Sequence, residues 1–114
     1  MIKTKKLVDY KETIIERGIV LRCPGLPPYE NIVDFMACET IGSNSFQLIV
    51  SSGYKAGLRY CLFPEESIPK EYASGLNTKW LIDNWDSWGY VDCPLNEVRI
   101  FKNTVPISLD QFKL

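Results

Sequence analysis

The sequence contains no histidine. That absence removes Ser-His-Asp and Cys-His nucleophilic designs, imidazole acid–base chemistry and the His-containing zinc sites. An excess of one charge sign is missing too: thirteen Lys and Arg stand against fourteen Asp and Glu, a formal net charge of −1. With no positive field to hold a phosphate backbone, no nucleic-acid partner is expected. Long apolar runs are also wanting. The longest uncharged stretch, Thr40 to Tyr54, is broken by Gly42, Ser43, Asn44, Ser45 and Gly53, so neither a membrane span nor a membrane partner is expected. Asp9, Lys11, Glu12, Glu16 and Arg17 interrupt the first twenty residues where a secretory signal would be apolar, which points to a cytoplasmic location.

No C-x-x-C pair occurs. Cys23, Cys38, Cys61 and Cys93 are spread through the chain, so a cysteine zinc site would need four separate segments, and neither a metal nor a cofactor is expected. Two disulfides are conceivable, but without a signal segment and with a full-sized core the favoured reading is reduced, buried thiols. There is no internal repeat, and no linker or low-complexity segment divides the chain. With 114 residues, 46% of them hydrophobic and 24% charged, the expectation is one globular domain over 1–114, folding around one core.

β-Branched and aromatic runs bounded by Gly, Pro, Asn and Ser read as strands. Ile19–Cys23 ends at Cys23-Pro24 and runs into the stiff Gly25 to Pro28 connection. A second strand is expected from about Asn31 to Ile41, with Gly42-Ser43-Asn44-Ser45 as the turn into a third, Phe46–Ser52. In the third, Phe46, Leu48 and Val50 share one face. Gly53 and Gly57 bracket a turn into Leu58–Phe63, and a last strand falls at Val98–Phe101 with Val98 and Ile100 inward. The segment before Gly18 is ambiguous between strand and short helix.

One helix is expected over Thr78–Trp88, capped by Asn77 or Thr78. Trp80, Leu81, Ile82, Trp85 and Trp88 occupy one arc of it and Lys79, Asp83 and Asp86 the other. Gly89 suits a left-handed closing residue. The fold class is therefore α+β: a predominantly antiparallel, curved sheet of about five strands, with an SH3-like barrel as one form of it, and a tryptophan-rich helix over a face or end.

Few residues point to chemistry. Gly53-Tyr54-Lys55-Ala56-Gly57 lacks the spacing and following helix of a phosphate-binding loop and reads as a turn. Adjacent acids such as Glu65 and Glu66, or Asp83 and Asp86, are more simply solvated than catalytic. Trp85 reads as core, whereas Trp80 and Trp88, nearer the helix ends, are also open to a partner. Leu26 and Tyr29 on the proline-stiffened loop are potential contacts, although packing on their own domain is the simpler reading.

The stretches Arg17 to Pro24 with Pro27-Pro28-Tyr29-Glu30, Gly53 to Leu58, Lys79 to Trp85 and Asp92-Cys93-Pro94 resemble a known family: the small cytosolic immunity proteins of bacterial polymorphic-toxin and contact-dependent inhibition systems, and among them the family numbered forty-five. The resemblance runs from about Leu7 to Phe101. It implies a non-enzymatic protein, a monomer or weak dimer, that binds a cognate toxin domain stoichiometrically and occludes its active site or substrate cleft. A nuclease-type toxin would offer a basic cleft, and the acidic stretch between Asn77 and Val98 is complementary to it. On that charge argument the candidate partner-binding residues are Asp83, Asp86, Asp92, Glu65, Glu66 and Trp88; no catalytic residue is assigned. Two alternatives stand beside it. One is a small-molecule or peptide-binding module with Trp80 or Trp88 reaching a pocket between helix and sheet. The other is an enzyme using carboxylates and a lysine, whose minimum requirement is Lys55 and two acids in one cleft.

Overall fold

A computed structural model describes residues 3–28, 30–42, 44–71 and 75–102. Tyr29 and Ser43, two residues of the expected connections, and part of the expected 1–114 domain lie outside the described residues.

Strands β1 (Lys5–Lys6), β2 (Ile14–Ile15), β3 (Ile19–Pro24), β4 (Ile32–Glu39), β5 (Phe46–Val50) and β6 (Arg59–Leu62) come first. They are followed by β7 (Leu76–Asn77), helices α1 (Thr78–Asp83) and α2 (Trp85–Trp88), and β8 (Arg99–Lys102). Among the described residues the main sheet has six strands in the order β1-β8-β3-β4-β5-β6, and every pairing is antiparallel. β2 and β7 form a separate two-stranded ribbon. The α+β class and the antiparallel meander hold; the barrel does not. At one edge lies β1, only two residues long, and at the other β6; they do not pair, and the helical segment covers the inner face instead.

Alternation drives the sheet. Phe46, Leu48 and Val50 of β5 are buried while Gln47 and Ile49 are half-exposed, and Val33, Phe35 and Ala37 repeat the pattern on β4. Together with Leu21 and Cys23 of β3, Val98 and Ile100 they form one core with Leu81 and Trp85 of the helices. Each fully buried large side chain contributes about 1.5–3 kcal/mol of transfer free energy. On the outer face Arg22 and Asp34, directly opposite in the β3–β4 register, form a two-pronged ion pair at 2.8 and 2.9 Å. The Arg22 guanidinium also lies 4.9 Å from the Phe101 ring centroid.

Two details of the helical region depart from expectation. The single helix is broken at Asn84, whose side-chain amide donates to the Trp80 carbonyl at 2.8 Å, an amide side chain competing with the backbone pattern. Gly89 is not left-handed: its φ is −81° and ψ −176°. Glycine is needed there for space, because a Cβ would overlap the Trp85 ring. The cap does fall on Asn77, whose side-chain oxygen accepts from the Trp80 amide at 2.9 Å. Before Gly18 both alternatives occur, as the short strands β1 and β2 separated by a 3-10 turn at Leu7–Asp9. Among the described residues no helix is long and apolar enough to cross a membrane.

Candidate functional site

Three connections distant in sequence meet at one end of the sheet. The first follows β3: Gly25 donates to the Asn31 carbonyl at 2.8 Å, closing a tight loop in which a Cβ at Gly25 would overlap the Glu30 carbonyl. The second is the Gly53–Gly57 turn, where both glycines have positive φ, 71° and 96°. The third follows α2. Trp85, buried in the core, donates through Nε1 to the Cys93 carbonyl at 2.8 Å, and Cys93 donates to Tyr90 at 3.0 Å. This anchoring presents Tyr90 and Asp92 beside β4 and β6.

Between them lies a recess of about 250 Å³. Its wall is a trio of rings: Phe35 lies 5.0 Å from Tyr60 and 5.2 Å from Tyr90, and the two tyrosines are 5.8 Å apart, all tilted or edge-on. Tyr60 reaches this wall from an irregularity in β6. Leu48 faces Cys61 but Ile49 faces Arg59, so Tyr60 is the extra residue of a bulge, a device that re-aims a side chain. Its hydroxyl donates to the Gly89 carbonyl at 3.1 Å. Glu30, Lys55 and Asp92 also line the recess. Burial pushes the Tyr90 hydroxyl pKa up, and the nearby Asp92 and Glu30 carboxylates raise it further.

Lys55 and two acids therefore do share one cleft. They do not form an acid–base pair: the buried Glu30 Oε1 accepts no hydrogen bond among the described residues, and the Lys55 ammonium stands 5.6 Å from the Tyr54 ring centroid. The thiols offer no better nucleophile, since burial raises the pKa of Cys23, Cys38, Cys61 and Cys93 alike; all four are free, Cys23 and Cys93 buried and Cys38 and Cys61 half-buried. No cluster of three or more metal-ligating side chains occurs among the described residues.

The candidate partner-binding residues are distributed rather than gathered. Asp83 and Asp86 are exposed on α1 and α2, opposite the buried Leu81 and Trp85, and Asp83 accepts from Lys79 at 2.6 Å, one turn away. Glu65 and Glu66 occupy a 3-10 turn beside Lys70 and Glu71 in a different recess. Asp92 lines the aromatic recess. Trp88 is half-buried, 5.9 Å from Trp80 and 6.3 Å from Phe63. A further recess of about 610 Å³ beside α1 is lined by Tyr10, Thr13, Ile14, Thr78 and Ile82 among others, but by neither Trp80 nor Trp88. Leu26 is exposed at the rim of the aromatic recess, not packed away. Sequence reading missed Glu30, Phe35, Tyr60 and Tyr90, whose convergence depends on the bulge and on three loops.

By fold and surface this is one of the small α+β proteins that present carboxylates and aromatic recesses, with no hydrogen-bonded nucleophile and base among the described residues. The family model described as Immunity protein 45 matches residues 7–100. The chain belongs to that family, and membership implies that it binds and neutralises a cognate toxin. No curated protein and no solved structure matches it significantly.

Proposed function

We propose that this protein neutralises a nuclease-type toxin domain of a bacterial polymorphic-toxin or contact-dependent inhibition system, by forming a stoichiometric complex in the cytoplasm that occludes the toxin's active site or substrate cleft. The observation that carries this reading is the family match over residues 7–100. Inhibition by occlusion needs no catalytic group, in keeping with a chain that lacks histidine and holds its cysteines as thiols of raised pKa.

The surface proposed to meet the toxin is acidic. Asp83 and Asp86 project from the solvent side of the helices, Asp92 and the Glu65–Glu66 turn carry further acids at separate places, and Trp88 supplies half-buried aromatic area at the end of α2. Against a basic cleft such carboxylates act mainly on the rate of encounter, by steering, and on partner choice. The test is titration of the purified protein with the toxin domain encoded beside it. A one-to-one complex is expected, with an association rate that falls steeply with salt. Replacing Asp83, Asp86 and Asp92 together by alanine lowers that rate by about tenfold at low ionic strength. An unchanged rate and affinity in the triple variant would remove this surface from the account.

A further inference from the structure

The aromatic recess has the chemistry of a receptor for a positive charge. Three rings, packed on one another with centroids 5.0 to 5.8 Å apart, form one wall of it, and aromatic faces attract cations most strongly where water is excluded. Two carboxylates line it against one ammonium. One of those carboxylates has an oxygen without a donor: Glu30 Oε1 is buried and accepts no hydrogen bond among the described residues. Room for that oxygen comes from Gly53, where any Cβ would overlap it and where φ is +71°. A buried carboxylate oxygen with no donor is costly in isolation. The cost is removed if the side chain turns from Gly53 to meet a donor entering the recess.

Size and rim narrow the occupant. At about 250 Å³ the recess is smaller than the roughly 300–1,000 Å³ typical of pockets for drug-sized molecules, so it suits a single side chain better than a free metabolite. Leu26 and Tyr54 stand at its mouth, 51% and 73% exposed. Apolar groups around a central charged contact exclude water from it, the arrangement found around interface hot spots. Among cationic side chains, arginine matches best. Its planar guanidinium stacks on rings and offers several donors to carboxylates at once, whereas lysine acts as a compact, strongly hydrated point charge.

We propose that this recess is the anchor site for the toxin, receiving one arginine side chain of the toxin domain against the wall formed by Tyr60 and Tyr90, with Glu30 and Asp92 accepting its hydrogen bonds. The proposal rests on the immunity reading and gives that reading a specific contact. Lys55 is the internal competitor: it lines the same recess and opposes an incoming cation.

The test measures the affinity of the adjacent-encoded toxin domain for the wild type and for Glu30→Gln, Asp92→Asn and Lys55→Met. Each carboxylate-to-amide change keeps shape and removes charge, and each is expected to weaken binding at least tenfold, chiefly through faster dissociation. Lys55→Met is expected to leave affinity unchanged or improve it. Asp92 is exposed, so D92N remains informative even if Glu30→Gln disturbs its loop. A scan of the toxin's arginines is expected to find one whose loss is non-additive with D92N. If the wild type binds and neither amide variant weakens it, the anchor is wrong and the immunity reading stands. If Lys55→Met weakens binding as the amide variants were expected to, a cationic occupant is likewise ruled out. Failure of the wild type to bind overturns the immunity reading and the anchor together.

Discussion

Cys61 has its thiol pKa pushed up to about 11 by burial, although the Leu48 backbone hydrogen bond works the other way. A thiol whose folded pKa is raised keeps its proton while the unfolded chain has already released it. The contribution of this thiol to folding stability is therefore complete below the unfolded pKa of about 8.5–9 and is lost as pH rises toward about 11. Urea midpoints in reducing buffer should fall across that window, and Cys61→Val should flatten part of the slope. Arg22 carries a second residue-scale prediction. Asp34 has a side chain only 14% exposed and accepts both prongs of Arg22, so Arg22→Ala leaves a largely buried carboxylate without its cation. A loss of about 1–3 kcal/mol is expected in chemical denaturation. Arg22→Lys should recover only part of it, because an ammonium cannot reproduce the planar two-pronged contact.

At the scale of elements, α2 and the segment after it act as a bracket for the recess. Trp85 packs in the core and fixes the Cys93 carbonyl, while Gly89 makes room for its ring. Gly89→Ala should force the two apart at a cost of about 1–3 kcal/mol, seen as a lower melting temperature, and should shift the near-ultraviolet signals of Tyr60 and Tyr90. The elements most legible in the sequence were those set by alternation or helical spacing. The inward set of β5, the Asn77 cap and the burial of Trp85 all followed from local pattern. Less legible was whatever depended on side chains from elsewhere: Gly89 looked like a helix terminator and serves as a gap for Trp85, and Asn84 looked like an interior helical residue and divides the helix. The β6 bulge at Tyr60 left no signal specific to it, since Tyr60-Cys61-Leu62-Phe63 is a continuous apolar run with no period for a bulge to interrupt.

At the scale of the whole molecule, the candidate surface was only half accessible from the sequence. Charge patterning placed Asp83 and Asp86 on a solvent face, as the structure has them, but a recess assembled from residues of three segments distant in sequence has no periodicity by which it can be read. The resulting picture is an antiparallel sheet that holds an aromatic, carboxylate-lined recess at one end and a separate set of exposed acids on its helices, with the family supplying the purpose. The central claim is that the chain neutralises a toxin by binding it. The most direct measurement is growth of cells expressing the cognate toxin domain, sought first in the gene immediately upstream, with and without this protein. The account predicts arrest with the toxin domain alone and full rescue on co-expression, with a one-to-one complex recovered from the rescued cells. Continued arrest despite soluble co-expression, or rescue with no complex formed, would contradict it.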